Sequence, residues 1–494
     1  MPPIDRRAFL RTGLAASGMG LLAACGSSPT EPRWVQPTDA RVTAAEAARR
    51  TTGRTRTFTL NSISSRIDLG GPTVTTWTYD GVLPGREIRV RAGDVIEARL
   101  VNHLPADTTV HWHGLALRND MDGSPDLTQS AVKPGQTFSY RFVAENPGTY
   151  WFHPHTGVQL DRGLYAPLIV EDPSEPGAYD DEWTVVLDDW IDGAGNTPDQ
   201  VLAMLRKGMG GMSGMDGMDM GPMLMGANSD LLGGDAGDVK YPHYLINGRV
   251  AAAPVTFRTR PRHRVRIRLI NAGSDTAFRV ALGGHRMRVT HTDGFPVVPM
   301  DTDALLIGMG ERYDVVVTLN DGVFPLTAFA EGKGSTARAL IRTGSGDPPS
   351  ASARLRQLAG KILGYADLRP ADQVRLAPKK PDVEHRLDLT GSMTHYNWGI
   401  NGRPYDPGRP LPVRSGQRVR VTFRNRTTMW HPMHIHGHTF QINGNGPRKD
   451  TVIVLPNQTV TCDFDADNPG RWMSHCHNAY HLEAGMMTVL GYRA

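Results

Sequence analysis

Residues 475–486 read His475-Cys476-His477-Asn478-Ala479-Tyr480-His481-Leu482-Glu483-Ala484-Gly485-Met486. This short stretch carries one thiol, three imidazoles and one thioether, a combination of donors that suits copper. On an extended strand, successive side chains point to opposite faces, so His475 and His477 would share one face and Cys476 would point to the other. One peptide could then contact two separate metal centres that are bonded to each other through its backbone.

The remaining donors of the stretch complete one of these centres. Cys476, His481 and Met486, together with one more histidine, make up a blue-copper site, in which two imidazoles and a thiolate bind the metal and a methionine is axial. The alternative is a buried cysteine among hydrogen-bonded histidines. The presence of His481 and Met486 favours the copper site over that alternative.

The composition indicates a large globular protein with several domains. A length of 494 residues suggests about three domains, and 39% hydrophobic residues are sufficient for buried cores. The 54 glycines and 36 prolines suit a loop-rich all-β protein. The net charge of +4 is too small to indicate a nucleic-acid partner.

Residues 1–28 are predicted to be a twin-arginine export signal that includes a lipobox. The signal motif is Asp5-Arg6-Arg7-Ala8-Phe9-Leu10-Arg11, and the lipobox is Leu22-Ala23-Ala24-Cys25. Cleavage before Cys25 would leave a lipid on its sulfur; the alternative is an ordinary signal peptide with a cysteine at its cleavage site. Residues 29–53 would form a tether. We expect an exported, periplasmic or cell-surface protein that contacts the membrane only through this lipid.

Three segments of the chain share one pattern of short alternating strands separated by turns. The tetrapeptide Ile-Asn-Gly-Arg occurs at 246–249 and at 400–403, and strands beginning Arg-Val-Arg occur at 264 and at 418. This repetition predicts three copies of one Greek-key β-sandwich. The predicted domains are 54–172, 173–343 and 382–494, with a linker at 344–381.

Four histidine pairs of the form His-x-His follow or lie on predicted strands. One such pair is often a surface feature, but on a strand both imidazoles face the same side and can converge on one or two metals. Two pairs lie in the first domain and two in the last, which predicts metals at the interface of these domains. The additional His431 would complete the Cys476 site. The pairs are His111/His113, His153/His155, His434/His436 and His475/His477.

These clusters resemble those of multicopper oxidases, the family of laccases, ascorbate oxidase and bacterial cuprous oxidases. The similarity covers nearly the whole chain after the signal, in the family's order. It implies three cupredoxin-like domains and four copper ions as cofactors. The implied type 1 ligands are His431, Cys476, His481 and the axial Met486. The implied type 2 ligands are His111 and His434, and the two type 3 ions would be bound by His113, His153 and His477 and by His155, His436 and His475.

The resemblance also implies a route for electrons. A reducing substrate would give single electrons to the type 1 copper through an exposed edge of His431 or His481. The electrons would pass along the backbone at Cys476 to His475 and His477. Four electrons would reduce one O₂ to two waters.

Two acidic residues are candidate proton donors for this reaction. Asp122 lies where family members place such a carboxylate, although an aspartate before Gly123 could simply form a turn. Glu483 is the second candidate. Some bacterial relatives carry glutamate one position earlier, where this chain has Leu482.

Residues 204–225 suggest the identity of the substrate. Thioethers in this polar, glycine-rich segment favour Cu(I), so the segment would capture copper for a cuprous oxidase or protect against copper. The alternative is a disordered loop of small residues. Met429 resembles a substrate-copper ligand of cuprous oxidases, although Thr427 replaces its usual acidic companion. The candidate methionines of the segment are Met209, Met212, Met215, Met218 and Met220.

Other interpretations of the function remain open at this point. Phenols and aromatic amines are alternative reductants, because the family includes laccases and the two activities often coexist. The complete set of ten histidines and one cysteine argues against two of them. These are a copper-storage protein without turnover and a relative that has lost its copper. We expect a monomer that acts on O₂ and a small reductant.

Overall fold

The computed structural model describes residues 33–175, 177–208 and 221–494. Nearly all regular structure in these ranges is β-strand, which confirms the predicted all-β class. The predicted export signal with its lipobox and the five methionines of the segment 209–220 lie outside the described residues. Within the described ranges, no helix is both long enough and apolar enough to cross a bilayer.

Domain 1 consists of two four-stranded sheets that share one apolar core. Its strands are β1 (Thr55–Asp68), β2 (Thr73–Tyr79), β3 (Ile88–Arg91), β4 (Asp94–Asn102), β5 (His111–His113), β6 (Thr137–Ala144), β7 (Gly148–His153) and β8 (Ala166–Glu171). The strand orders are β2-β1-β4-β6 and β3-β8-β7-β5.

Domain 2 is built from a seven-stranded and a six-stranded sheet. Its strands are β9 (Asp181–Trp190), β10 (Asn228–Ser229), β11 (Gly234–Asp235), β12 (His243–Ile246), β13 (Arg249–Val250), β14 (Thr256–Arg258), β15 (Arg264–Asn271), β16 (Phe278–Leu282), β17 (Met287–Thr292), β18 (Phe295–Thr302), β19 (Ala304–Ile307), β20 (Arg312–Thr318), β21 (Val323–Ala330), β22 (Ser335–Arg342) and β23 (Ile362–Leu363). The orders are β13-β12-β9-β15-β20-β17-β18 and β14-β22-β21-β16-β19-β23, and β10 and β11 pair separately.

Domain 3 repeats the arrangement with a six-stranded and a five-stranded sheet. Its strands are β24 (Val383–Thr390), β25 (Gly399–Ile400), β26 (Leu411–Val413), β27 (Arg418–Asn425), β28 (His431–Ile435), β29 (Phe440–Ile442), β30 (Arg448–Lys449), β31 (Thr451–Val454), β32 (Thr459–Asp465), β33 (Arg471–Cys476) and β34 (Met487–Tyr492). The orders are β25-β24-β27-β32-β29-β30 and β26-β34-β33-β28-β31.

The three domains share one strand topology. In each domain the first strand pairs in parallel with a later strand, which pairs antiparallel with a third strand on its other side. These triplets are β1-β4-β6, β9-β15-β20 and β24-β27-β32. The repeated Arg-Val-Arg strands of the sequence are β15 and β27, the central members of their triplets. A parallel pair needs a crossover connection, as a Greek-key sandwich provides.

Strand alternation turns the histidine pairs away from the domain cores. On β5, Trp112 is fully buried in the core of domain 1, with its ring 5.0 Å from that of Phe142 and 5.2 Å from that of Phe152. His111 and His113 therefore point to the opposite face of the sheet. The large aromatic anchor fixes the direction of both imidazoles.

From Trp34 onward, the predicted tether is instead folded. Trp34 forms an isolated bridge with Arg493, and helix α1 (Ala40–Ala47) follows. Val35 and Val42 are each 1% exposed within the main apolar core. Burial of these two side chains explains why this part of 29–53 is held in place.

The segment 344–381, predicted as a linker, is also held against its neighbours. Leu363 and Leu368 are buried, and the hydroxyl of Tyr365 donates to Glu311 at 2.5 Å. The two remaining helices are short: α2 (Pro198–Leu205) precedes the methionine-rich segment, and α3 (Ala479–Glu483) follows Cys476.

Candidate copper centres

The first centre consists of His431, Cys476 and His481, all fully buried. The Cys476 Sγ lies 3.7 Å from Nδ1 of each histidine, and the two Nδ1 atoms are 3.1 Å apart. Neighbouring strands β28 and β33 supply the first two residues, and α3 brings His481 back towards the thiol. The structure thus brings together a thiol and two imidazoles that are distant in sequence.

Met486 is fully buried beside this centre. Its backbone N–H donates to the carbonyl of His481 at 3.0 Å, and its carbonyl accepts from the N–H of Cys476 at 3.0 Å. These two bonds fasten the methionine to two of the candidate ligands.

Hydrogen bonds hold both imidazoles with Nδ1 towards the thiol. The Asp238 carboxylate lies 3.0 Å from Nε2 of His481, and the hydroxyl of Thr427 lies 2.8 Å from Nε2 of His431. Although burial lowers it, the pKa of His481 is raised to about 10 because Asp238 and Cys476 lie against the ring. Outer partners of this kind fix the tautomer and orientation of a metal-binding imidazole.

The expectation that an imidazole edge is exposed to the reductant is wrong. Both His431 and His481 are 0% exposed. The indole ring of Trp398 lies 4.3 Å from the His481 ring and 5.4 Å from the His431 ring. The hydroxyl of Tyr396 donates to Asp238 at 2.7 Å. These two aromatic side chains and a carboxylate of domain 2 cover the imidazoles.

Acidic groups of domain 2 also lie beside Met429. Met429 is buried and forms an isolated bridge with Asp235. Burial raises the pKa of Asp235 to about 6. Domain 2 thus places Asp235 beside Met429 and Asp238 against His481, near the motif that carries Thr427 in place of an acidic residue. Their position could not be read from the local motif.

The second centre gathers eight buried histidines between domains 1 and 3. Pairing of β5 with β7 places His111 opposite His153, and pairing of β28 with β33 places His434 opposite His475. All four pairs contribute to this centre, although both members lie on a strand only in the pair His111/His113. The resulting groups of ligand atoms are His111/His113/His434, His113/His153/His477 and His155/His436/His475.

The ring nitrogens show how this cluster fits metal ions. One nitrogen is typically bonded to protein: Nδ1 of His111 lies 2.9 Å from the carbonyl of Asp122, and Nδ1 of His153 lies 2.8 Å from that of Pro154. Buried nitrogens without a partner are costly unless something else satisfies them, as a metal ion would. The unpartnered nitrogens are Nε2 of His111, His153 and His434, Nδ1 of His113 and both of His477.

The third group brings three Nε2 atoms close together. Nε2 of His475 lies 3.3 Å from Nε2 of His155 and 2.9 Å from Nε2 of His436. Burial, together with neighbouring imidazoles, lowers the pKa of His155 to about 3 and that of His475 well below its usual value. Neutral imidazoles with free lone pairs are the form that binds metals, and imidazole with thiolate suits copper.

Asp122 lies inside the cluster and Glu483 lies outside it. The Asp122 carboxylate is 3.0 Å from Nδ1 of His436 and 3.3 Å from Nδ1 of His111, and it accepts from the Ser124 hydroxyl at 2.6 Å. Glu483 ends α3, and its carbonyl accepts from Arg206. Burial raises the pKa of the Glu483 carboxyl, but its described contacts include none with the eight histidines.

Domain 2 supplies no candidate ligand among the described residues, yet its backbone reaches the cluster. A Cβ at Gly310 would lie 2.8 Å from Cδ2 of His477 and 3.0 Å from Cε1 of His113, so only glycine permits this approach. Two residues later, Arg312 pairs with Asp450, whose carboxylate lies 3.1 Å from Nε2 of His113. Sequence reasoning missed Arg312 and Asp450 because neither lies in a histidine motif.

Comparison with known proteins agrees with this geometry. Family models described as multicopper oxidase match residues 63–175, 181–346 and 378–493. The chain is 50% identical to the multicopper oxidase MmcO of Mycobacterium tuberculosis, over 99% of this chain and 97% of that protein. It is 27% identical to copper resistance protein A of Escherichia coli, over 87% of this chain and 91% of that protein.

Solved structures show the same fold. The laccase from Botrytis aclada is 25% identical and matches with a TM-score of 0.74, covering 94% of this chain and 92% of its own. A multicopper oxidase from Pseudomonas thermotolerans is 26% identical and matches with a TM-score of 0.67, covering 89% of this chain and 100% of its own. These matches confirm the cupredoxin-like sandwiches. The chain therefore belongs to the multicopper oxidase family, whose members bind copper and act as oxidases.

Proposed function

We propose that the protein oxidises a reducing substrate at the Cys476 centre and reduces O₂ to water at the eight-histidine centre. The observation that carries this proposal is that one tripeptide, 475–477, contributes candidate ligands to both centres. Copper would supply one-electron oxidation at the first centre and four-electron reduction of O₂ at the second. The proposed type 1 ligands are His431, Cys476, His481 and Met486; the proposed type 2 ligands are His111 and His434; the other six histidines would bind the type 3 pair.

The peptide that joins the two centres is held by hydrogen bonds on both sides. The N–H of His477 donates to the carbonyl of Pro432 at 2.6 Å, and that of Cys476 donates to Met486 at 3.0 Å. Nδ1 of His475 lies 2.9 Å from the carbonyl of Cys476. The short covalent path from Sγ to both imidazoles is therefore fixed in geometry, which suits repeated electron transfer without rearrangement.

Asp122 is the proposed proton donor for O₂ reduction. Its carboxylate is fully buried and contacts His111 and His436, so it lies at the edge of the space that the cluster encloses. The Ser124 hydroxyl orients it. Glu483 lacks such contacts among the described residues, and the geometry favours Asp122.

The surroundings of the Cys476 centre favour Cu(I) as a substrate. The buried imidazoles offer no open face to a phenol, whereas Asp235 and Asp238 place two carboxylates close to Met429 and His481. The thioether of Met429 is a soft donor that suits Cu(I), and the negative charge of the two acidic residues would attract the cation. Copper resistance proteins among the relatives agree with this choice, and relatives named laccases keep phenols and aromatic amines as second candidates.

The described chain that precedes the methionine-rich residues 209–220 ends next to residues that cover this centre. A Cβ at Gly208, the last described residue before 209–220, would lie 2.4 Å from the carbonyl of Thr394. Tyr396 follows two residues later and bonds Asp238, which bonds His481. We therefore propose that five methionines supply Cu(I) to the residues that cover the Cys476 centre. They are Met209, Met212, Met215, Met218 and Met220.

Export completes the proposed function. An oxidase that removes Cu(I) is useful where copper arrives, outside the cytoplasm, and the twin-arginine motif at 5–11 would export it already folded. A lipid on Cys25 would keep the monomer at the membrane surface.

Replacing Cys476 by serine should abolish both the blue absorption of the copper-loaded protein and O₂ consumption, because a hydroxyl does not provide the soft thiolate. Cys462, buried in β32, gives a matched control: Cys462→Ala should keep both properties. Absorption spectra and an oxygen electrode measure the two effects. A blue and active Cys476→Ser protein would refute the proposed function.

Asp122→Asn should lower O₂ reduction per bound copper about 10²-fold while the blue absorption stays unchanged, because the amide cannot donate the carboxyl proton. Glu483→Gln, made in parallel, should stay close to wild type. Steady-state turnover and metal analysis decide between them. If Glu483→Gln were the slower enzyme, the proton donor would have to be reassigned.

Replacing the five methionines of 209–220 by leucine should raise the KM for Cu(I) about tenfold, a loss of about 1.4 kcal/mol of binding, because leucine keeps the volume and loses the sulfur. Turnover of a phenol should not change. Met300→Leu, which alters a half-buried methionine of β18 outside residues 204–225, is the control. An unchanged KM for Cu(I) would eliminate the copper-supplying role.

Cys25→Ser should release the protein from the membrane fraction and prevent its labelling by a radioactive fatty acid. Lysine at both Arg6 and Arg7 should instead retain the precursor in the cytoplasm. Fractionation of cells that produce each variant distinguishes the two effects. Wild-type protein that is exported but carries no label would show an ordinary signal peptide.

A further inference from the structure

We propose that Arg312, from domain 2, which supplies no described ligand to either centre, is a positioning residue for the trinuclear copper site. It holds the Asp450 carboxylate, and Asp450 in turn sets which nitrogen of His113 and of His434 faces the metals. This inference rests on the proposed function, since it concerns the loading of the eight-histidine centre.

Arg312 binds Asp450 through a two-pronged ion pair that is closed to solvent. Nη1 donates to Oδ1 and Nη2 to Oδ2, both at 2.7 Å, and both residues are 0% exposed. Nε donates to the carbonyl of Thr149 in domain 1 at 3.0 Å, and Nη1 also donates to that of Gly310 at 3.1 Å. One guanidinium group therefore joins all three domains in a geometry that lysine cannot reproduce.

Asp450 contacts two candidate ligands that belong to different copper ions. Its Oδ1 lies 3.1 Å from Nε2 of His113, and its backbone carbonyl lies 2.8 Å from Nδ1 of His434. The two imidazoles stack with ring centroids 4.0 Å apart. A ring nitrogen that donates to oxygen carries the proton, so the other nitrogen keeps its lone pair for metal.

The nitrogens left free agree with this assignment. Nδ1 of His113 and Nε2 of His434 are buried without partners, and these are the atoms opposite the two Asp450 contacts. His113 presents Nδ1, whereas His111, His153 and His434 each leave Nε2 free. The exceptional orientation of His113 coincides with its contact to the Asp450 side chain.

The backbone next to His113 leaves space for the Arg312–Asp450 ion pair. Gly114, directly after His113, has φ +88°, and a Cβ there would lie 2.3 Å from Nη2 of Arg312 and 2.6 Å from Oδ2 of Asp450. Asp293 accepts from the backbone N–H groups of Asp450 at 3.1 Å and of Arg312, through its other oxygen, at 2.8 Å. Asp293 therefore holds the backbones of both Arg312 and Asp450 in place, and Asp450 contacts His113.

A purely structural role is the competing explanation, and Arg268 provides the control for it. Arg268 is also buried and donates to the Thr149 hydroxyl of domain 1 at 2.8 Å and to Asp314 at 3.1 Å. Its described contacts include no candidate copper ligand. Arg268→Lys therefore disturbs a buried ion pair within domain 2 and a hydrogen bond to domain 1 without touching the cluster.

The test compares Arg312→Lys with Arg268→Lys in the copper-loaded full chain. Copper retention against a chelator, the electron paramagnetic resonance signal of the type 2 ion, the blue absorption and thermal unfolding are measured together. We expect Arg312→Lys to weaken copper binding at the cluster about 10–100-fold and to change the type 2 signal, with the blue absorption retained. Arg268→Lys should lower the unfolding temperature and leave copper binding and the type 2 signal unchanged.

Asp450→Asn keeps the shape of the side chain and is the second test variant if Arg312→Lys does not fold. It should weaken copper binding at the cluster in the same way. The inference is overturned if either variant holds cluster copper as tightly as Arg268→Lys, with an unchanged type 2 signal. Wild-type protein that binds no copper at all would instead overturn the proposed function, so the two failures are distinguishable.

Discussion

The burial of ten imidazoles and one thiol is the constraint on which the rest of this structure depends. A buried imidazole has two nitrogens to satisfy, and here the protein typically satisfies only one of them, as with Nδ1 of His111 and Nδ1 of His153. The other nitrogen is left for a metal ion. A buried nitrogen without a partner destabilises the metal-free protein, and metal binding removes this cost. Folding and metal binding are therefore coupled.

Domain 2 contributes to this arrangement although its described residues supply no ligand to either centre. It orients the ligands of its neighbours: Asp238 bonds His481, Asp275 accepts from the amide of Asn478 at 2.6 Å, and Arg312 holds Asp450. Gly310 brings its backbone against His477. The middle sandwich therefore acts as the outer shell of both centres, which gives a physical reason for a third domain in a protein whose candidate ligands come from two.

The cover over the Cys476 centre shows where reasoning from local motifs fails. The motif around Met429 lacks its acidic residue, and the expected exposed imidazole is buried. Asp235 and Asp238 of domain 2 lie beside this motif, and the aromatic residues Tyr396 and Trp398 help to cover the imidazoles. These contacts join residues from 33 to 243 positions apart, beyond the reach of any spacing rule.

The sequence by itself determined the fold class, the repeated sandwiches and the candidate ligands, because strand alternation and the His-x-His spacing are local properties. It also determined that Cys476 and its flanking histidines point apart. The tertiary structure alone decided which nitrogen of each imidazole stays free, that Asp122 rather than Glu483 touches the cluster, and that residues from Trp34 onward are folded. Those outcomes depend on hydrogen-bond partners and burial contributed by distant segments, which local patterning does not encode.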